Sequence, residues 1–422
     1  MSETKPLKRL TQAELDVIVA RHAKFREARL GGARAILSSH NLSNLSLRGY
    51  DLSHADCTGA SFVQADLSES KLDYCIFFGA DLRHTNMRGA SLVRADMRGA
   101  CLRGAMLAGA NLTGVDLREG ILASADDSGN LVSIHEGLTL EGGGADLSGA
   151  NLSDARLAGA VAVGTNFSDA VMRGCKIVRA NLAGANLKGA NLENADLSMC
   201  DVRGADMRGA MLVNVVLNLT DLTTANLAGA LTDAPMGPTA KNLPSPIDEL
   251  LRQHTRWVSS NAHDGKQIDI SGYDLRKDVS FVRAYLTMMK AVNSILYGVD
   301  FSDAQLQAAD MRGADLRHAN LQTADIRGAD FKNAKLSNAS FLGARMEPLV
   351  LASSRSLATE FQGASLRYAN FSGASAREAN FRKADLFGAN FLSADITGAD
   401  FEGANLEGTR ITASQKATIK GG

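Results

Sequence analysis

The chain of 422 residues is poor in aromatic residues, proline and cysteine. Aromatic residues make up 5% and prolines number six, against 40 glycines, which is not the composition of an ordinary globular domain. The five cysteines are scattered and odd in number, so we expect reduced thiols in a cytoplasmic protein rather than a disulfide framework. No segment has 18 consecutive apolar residues, and the first residues lack an apolar signal-peptide core. We therefore expect no membrane span and no signal peptide.

The chain also lacks a charge imbalance and the motifs of familiar active sites. Lys and Arg total 45 and Asp and Glu total 46, which gives a net charge of −1. This balance argues against a general polyanion binder and equally against a strongly acidic mimic of one. No P-loop, GxSxG elbow, CxxC pair or HExxH helix occurs. We therefore expect no catalytic residues, no metal, no cofactor and no nucleic-acid partner.

What the sequence does have is a period of five residues. Segment 180–197, ANLAGANLKGANLENADL, places Leu182, Leu187, Leu192 and Leu197 five residues apart, a spacing that fits neither a helix nor a strand. We call this large apolar residue the centre of its pentad. Ala usually lies two residues before the centre, Asp or Asn one before it, and Gly often two after it, at what we call the corner. A chain that turns a quarter circle per pentad forms square coils of twenty residues, stacked roughly 4.8 Å apart.

The A-[DN]-[LF]-x-x pattern resembles that of the pentapeptide-repeat family. The segments 80–112, ADLRHTNMRGASLVRADMRGACLRGAMLAGANL, and 379–406, ANFRKADLFGANFLSADITGADFEGANL, carry the resemblance, which covers roughly two thirds of the chain. It implies an all-β fold, the right-handed quadrilateral β-helix of that family. In the second half the centres alternate between phenylalanine and an aliphatic residue, which predicts phenylalanine stacks on two opposite inner faces. These phenylalanines are Phe361, Phe371, Phe381, Phe391 and Phe401.

The chain contains an internal duplication. Segment 14–25, ELDVIVARHAKF, aligns without gaps on 246–257, PIDELLRQHTRW, and both carry an apolar helical stripe. The first coil of a solenoid exposes unpaired backbone groups and an open apolar end unless something covers it. We therefore predict an α-helix that caps each of two solenoid lobes. The equivalent helix-cap positions are His22 and Phe25 in the first helix, and His254 and Trp257 in the second.

These signals predict the order of segments along the chain. Four of the six prolines fall between the two lobes, where we expect a linker because proline cannot donate to a strand ladder. The predicted segments are an N-terminal tail and capping helix (1–40), a first β-helix (41–230), a Pro-rich linker (231–245), a second capping helix with the segment that leads into the next lobe (246–275), a second β-helix (276–412) and a C-terminal tail (413–422).

Two interruptions break the repeats at comparable places in the two halves, at 123–146 and 347–360. Loops on a rigid scaffold commonly carry recognition, although each interruption could equally be a degenerate coil, and the sequence leaves both interpretations open. The first interruption contains the polar residues of a candidate interaction loop: Asp126, Asp127, Asn130, His135 and Glu136.

The two helix histidines admit a ligand or proton-transfer site, or a structural bond at the mouth of the solenoid. Neither His22 nor His254 has a Cys or a carboxylate at metal-ligand spacing, which favours the structural role.

The sequence supports three functional hypotheses. A rigid rod with flat faces favours a non-catalytic scaffold or protein-interaction module with an unidentified protein partner. Resemblance to the family implies an alternative, because some members mimic DNA and thereby inhibit topoisomerases such as gyrase. Against it, acidic and basic residues nearly balance in the pentads of this chain. A third hypothesis is ligand binding or catalysis through the 123–145 loop.

Overall fold

The computed structural model describes residues 7–102, 104–118, 123–125, 131–133, 145–276, 279–351 and 355–421. The chain divides into two compact units, Met1–Asp233 and Ala234–Gly422. Within the described residues, the named strands and helices are β1 (Lys8–Arg9), α1 (Gln12–Arg26), β2 (His40–Asn41), β3 (Ala123–Ala125), β4 (Leu131–Ser133), a 3₁₀ helix (Ala240–Asn242), α2 (Ile247–Ser259), β5 (Leu349–Val350), β6 (Ser356–Leu357) and α3 (Ala413–Lys416).

Most of each unit is a stack of four-sided coils joined by single-residue parallel bridges. Most bridges link residues twenty positions apart, as between Asp51 and Lys71, and between Lys71 and Ser91. The centre of each pentad donates its N–H to the next coil, for example Leu47 to the carbonyl of Asp66 at 2.6 Å. Four pentads therefore complete one turn, as the five-residue period predicts.

The corner of each side adopts a left-handed backbone conformation whether or not it is glycine. Gly49 has φ 70°, His54 has φ 67° and Tyr74 has φ 58°. This conformation costs an L-residue on the order of 1–2 kcal/mol. It also turns the corner N–H toward the next coil, where His54 donates to the carbonyl of Asp73 at 2.9 Å. Glycine is thus favoured at the corner but is not required there.

Where Asp or Asn precedes a centre, its side chain accepts a hydrogen bond from a backbone N–H that has no partner in the ladder. The residue after the centre has no backbone acceptor for its N–H, and a buried N–H must find a partner. In one such pentad, Asp51 Oδ1 accepts both the N–H of Ser53 at 3.0 Å and its hydroxyl at 2.7 Å. Asn86 adds a bond between coils, because its Nδ2 donates to Asp66 Oδ1 at 3.0 Å. The polar position of the repeat is therefore set by backbone hydrogen bonding.

The centres and the alanines before them form the core of each unit. In the second unit, Phe361 stacks on Phe381 with ring centroids 5.0 Å apart and planes 2° from parallel. Phe371 stacks in the same way on Phe391, at 4.5 Å and 1°. Phe361 meets Phe371 edge to face across the core at 6.1 Å. The predicted stacks on two inner faces are confirmed for these residues.

The coils of both units begin earlier than the sequence boundaries placed them. In the first unit Ile36 already bridges to Asp56, whereas we expected the coils to start at residue 41. In the second unit Asp269 bridges to Lys290, ahead of the expected start at 276. That bridge spans 21 positions, so one extra residue shifts the frame. The first pentads also lack the Ala-Asp-Leu signature, which is why the pattern missed them.

The segment 231–245 is more than a linker. Leu231 is buried and bridges to Met211, so it still belongs to the first unit. In the second unit, the carbonyl of Pro238 accepts the N–H of Asp274 at 2.8 Å. Asp274 Oδ2 in turn accepts the N–H of Met236 at 3.0 Å. Proline fits here because it contributes only its carbonyl.

The C-terminal segment 413–422 was expected to be a tail, but it closes the last coil. Gln415, on α3, donates its Nε2 to the carbonyls of Phe391 at 2.7 Å and Ala394 at 2.8 Å. Beyond α3, Lys420 bridges to Asp400 and so rejoins the ladder. This segment carries no repeat signal, because a covering helix need not follow the pentad pattern.

Candidate interaction surfaces

His22 is a structural residue in the geometry of the first unit. Its buried ring stacks on Phe25, with centroids 5.9 Å apart, although the Phe25 side chain remains 44% exposed. The N–H of Ala35 donates to His22 Nδ1 at 3.0 Å, so the ring proton is on Nε2, which bonds to the carbonyl of Ser53 at 3.1 Å. Burial lowers the pKa of His22. Both ring nitrogens are therefore engaged in holding the end of α1 to the first coils.

His254 occupies the same place in the second unit. It is fully buried, stacks on Trp257 at 5.6 Å, and accepts the N–H of Ile268 on Nδ1 at 3.1 Å. Burial lowers the pKa of His254, and the backbone of Thr287 opposes that shift. Within the described residues, no group of three or more His, Cys, Asp or Glu side chains is placed to hold a metal ion.

The polar residues proposed for the first interruption lie outside the described residues; these are Asp126, Asp127, Asn130, His135 and Glu136. Within this interruption the structure describes β3, which precedes Asp126, and β4, which lies between Asn130 and His135, and the two strands pair antiparallel. The coils on either side stack directly, because Met106 bridges to Asp146 forty positions later instead of twenty. The interruption is therefore a twenty-residue insertion into one coil.

The second interruption is a β-hairpin inserted at a corner. Strands β5 and β6 pair antiparallel, whereas every bridge of the surrounding coils is parallel. Asp330 bridges to Glu360 thirty positions later instead of twenty, so ten residues are inserted. The frame resumes at Thr359, which is fully buried and accepts the N–H of Gly328 on Oγ1 at 3.0 Å.

This hairpin presents apolar side chains to solvent. Val350 is 74% exposed, and Leu351 and Leu357 are 40% exposed each. Its base is held in place, because Leu349 and Leu357 pack over Gly328, where an added Cβ would lie 3.0 Å and 3.1 Å from theirs. The sequence located this interruption, but the predicted interaction residues were all polar residues of the first interruption. The signal it missed is the Leu-Val-Leu run of the hairpin, which has no place in the five-residue pattern.

Charged residues on the faces are largely paired within their own pentads. Arg83 forms a bidentate ion pair with Asp81, in which Nε donates at 2.8 Å and Nη2 donates at 2.6 Å. Arg203 makes the same pair with Asp201, and its hydrogen bond is the largest cause that lowers the pKa of Asp201 to about 2. Further examples are Asp96 with Arg98, Asp116 with Arg118, Asp206 with Arg208, Asp310 with Arg312, and Asp325 with Arg327.

A sequence profile described as "Pentapeptide repeats (8 copies)" matches well over half of the chain. The matched segments are 35–77, 75–114, 143–177, 178–209, 200–230, 280–317, 314–347, 358–391 and 388–412. The chain belongs to the pentapeptide-repeat family. Its fold is accordingly the right-handed quadrilateral β-helix that the resemblance implied. A search of curated proteins finds no significant match.

Solved structures of other pentapeptide-repeat proteins are similar to this chain. A trypsin-treated form of QnrB1, a plasmid-mediated fluoroquinolone resistance protein, shares 19% identity over 47% of this chain and 90% of its own, with a TM-score of 0.30. HetL from Nostoc sp. strain PCC 7120, a protein involved in the regulation of heterocyst differentiation, shares 20% identity over 94% and 93%, with a TM-score of 0.14. A protein of the Arabidopsis thaliana thylakoid lumen shares 24% identity over 28% and 65%, with a TM-score of 0.19.

These similarities concern the fold, and they assign no partner to this pentapeptide-repeat protein. Among the helices of the described residues, none is both long and apolar enough to cross a bilayer.

Proposed function

We propose that this pentapeptide-repeat protein is a non-catalytic scaffold whose β5–β6 hairpin binds a protein partner. In this proposal each unit is a solenoid lobe covered at its start by its own helix, α1 or α2. The bonds of His22 to Ala35 and of His254 to Ile268 support such a cap. The scaffold then provides a rigid base from which the hairpin projects.

The ten-residue hairpin insertion is the observation that carries this proposal. The coil does not require the hairpin, because the pentad pattern that stops at Glu347 resumes at Thr359. Its exposed side chains nevertheless include Val350, Leu351 and Leu357, on a short strand pair fixed to the coil by Gly328 and Thr359. Neighbouring apolar side chains that are exposed together on a surface mark a site of interaction with another protein. The partner surface that fits is an apolar depression with a polar rim.

A deletion and two matched substitutions test the proposal. Removal of residues 348–357 joins Glu347 to Ala358 and leaves one regular pentad. Affinity purification from the native host with the full chain and with this deletion, followed by mass spectrometry, identifies a protein retained only by the former. With that protein purified, we expect Val350→Asp to weaken binding at least tenfold in calorimetry. We expect Val161→Asp, at a 64% exposed position in a regular pentad, to change it less than twofold. The hairpin would be refuted as the contact if every captured protein were retained equally by the full chain and the deletion, or if Val350→Asp and Val161→Asp weakened binding equally.

The ion pairs on the faces of the coils argue against the DNA-mimic hypothesis. A mimic of duplex DNA must present a continuous run of uncompensated negative charge. Here the carboxylates of Asp81, Asp201 and their counterparts bind an arginine two residues further on. We expect gyrase supercoiling to be unchanged by micromolar amounts of this protein, and inhibition would instead support the alternative. The hypothesis of a ligand or enzymatic site in the 123–145 loop stays a prediction, since its proposed residues lie outside the described ones.

A further inference from the structure

The loop that follows α1 concentrates positive charge on a protein whose net charge is −1. Between residues 21 and 34, five cationic side chains accompany a single carboxylate, that of Glu27. Glu27 pairs with Arg29 at 2.8 Å and leaves the other four in excess. All five cations are solvent-exposed: Arg21, Lys24, Arg26, Arg29 and Arg34. We call residues 21–34, which comprise the end of α1 and the loop after it, the cationic loop.

The part of the cationic loop beyond α1 is held in one conformation by the end of that helix. Ala28, with φ 51°, donates to the carbonyl of Phe25 at 3.0 Å, and Arg29 donates to that of Lys24 at 2.8 Å, which is a Schellman closure of α1. Gly32 then lies directly on the helix backbone, where an added Cβ would come within 2.4 Å of the nitrogen of Phe25. The loop tip is therefore a fixed projection.

The tip of the loop is apolar. The side chain of Leu30 is 100% exposed, and Phe25 on the same turn is 44% exposed. A single exposed leucine is ordinary on a protein surface. Here it lies at the tip of a fixed loop, in a segment whose exposed charges are mostly positive. One insertable side chain together with a cluster of cations is what binding at an anionic lipid surface requires.

We propose that the cationic loop docks the first unit on an anionic lipid bilayer, with Leu30 inserted among the acyl chains and the cations, four of them in excess over Glu27, on the headgroups. Five Lys and Arg residues fall within the range of basic clusters that bind acidic phospholipids. A nucleic acid would accept Leu30 only by unstacking a base step, which costs a few kcal/mol, whereas the acyl region of a bilayer accepts it directly. The corresponding turn after α2 carries Asn261, Ala262, His263 and Asp264, so only the first unit has this surface.

Vesicle sedimentation with the full chain tests the proposal. The vesicles are phosphatidylcholine alone or with 30% phosphatidylglycerol, at about 0.1 M salt, where the Debye length is about 10 Å. We expect binding to the anionic vesicles only, and release at high salt. The triple variant Lys24→Gln/Arg26→Gln/Arg29→Gln should lower the partition coefficient about 100-fold, at roughly fivefold per cation. Leu30→Ser should lower it several-fold while the salt dependence stays unchanged.

The second unit supplies a control of the same net charge change. Arg252→Gln/Arg256→Gln/Lys266→Gln removes three cations near α2, and we expect less than a threefold effect on vesicle binding. Circular dichroism of each variant confirms that it is folded. An equal loss in the two triple variants would overturn the proposal, because binding would then follow net charge. So would an absence of binding to anionic vesicles. Retention on immobilised polyaspartate or heparin without vesicle binding would assign the loop to an acidic macromolecule and likewise overturn it.

Discussion

The hydroxyl of Thr359 donates to the carbonyl of Ile326 at 3.2 Å, across the base of the β5–β6 hairpin. Other coils make the same bond 23 residues apart, as Thr85 does to Phe62 at 2.8 Å. Here the two residues are 33 apart, and the geometry is kept. The insertion of ten residues therefore does not change the hydrogen bonding of the coil.

The first prediction concerns the stability of the shortened chain. Removal of residues 348–357 deletes exposed apolar area and keeps the ladder on either side, so we expect the free energy of unfolding to change by less than about 1 kcal/mol. Urea denaturation followed by far-UV circular dichroism measures this difference. A loss of several kcal/mol would mean that the hairpin is part of the core.

The second prediction compares two neighbouring glycines after α1. Gly31 has φ 77° with open space around its Cβ position, so Gly31→Ala should cost about 1 kcal/mol, the penalty of the left-handed conformation. Gly32 lies against the helix backbone, and Gly32→Ala should cost about 3 kcal/mol because backbone must move. Urea titrations of the two variants, with amide exchange of α1 as a local probe, separate the two costs. Equal effects would contradict the close approach.

The third prediction is a pH dependence that arises from His22. Burial lowers its folded-state pKa below the ordinary value of 6.5, so the unfolded chain binds more protons as the solution becomes acidic. The contribution of His22 is therefore complete above about pH 6.5 and decreases as the pH falls toward the folded-state value. Urea unfolding at pH 7.5 and 5.5 measures this slope. His22→Gln should reduce the slope, and an unchanged slope in this variant would contradict the assignment.

The fourth prediction concerns the reactivity of the thiols. Burial raises the pKa of Cys75 and of Cys175 to about 12 and that of Cys200 to about 11, and it raises that of Cys57 further above its ordinary value. Only Cys101 is partly exposed. Ellman's reagent should therefore titrate one thiol rapidly in the native protein and all five in denaturant. Cys101→Ser should abolish the rapid phase, and persistence of that phase would contradict the assignment.

The fifth prediction concerns the phenylalanine stacks. Phe381 lies between Phe361 and Phe401, with centroids 5.0 Å and 4.9 Å away. Phe381→Ala should cost about 4 kcal/mol, because the coils on either side cannot collapse into the space. Phe381→Leu should cost about 1.5 kcal/mol, because leucine already fills many centres. Chemical denaturation gives both values, and a reversal of their order would show that the rings are not in the core.

The regular part of this fold was readable from the sequence because each pentad repeats the same local bonds. The apolar centre, the small residue before it and the Asx side chain that binds the next N–H recur in every coil, as with Asp51 and Ser53. Residues at the ends could not be predicted in this way. Pro238 satisfies one particular backbone group of an end coil and Gln415 satisfies two, and single instances of this kind leave no period.

The candidate surface was predictable in part. The interruption at 347–360 could be located because the frame breaks there, and histidines at matched places in two helices indicated the bonds of His22 and His254. Exposure of Val350 depends on the direction in which the hairpin leaves the corner, which is decided by packing over Gly328 some twenty residues earlier. The fixed tip at Leu30 likewise depends on the close approach of Gly32 to the helix.

The position of each helix before its coils has a consequence for how the chain is made. In each unit the helix is synthesised before the first coil, and among the described residues each later coil of that unit bonds to the coil before it. During translation, each new twenty residues therefore meet a finished edge as they leave the ribosome, and winding needs no part of the chain that is still to come.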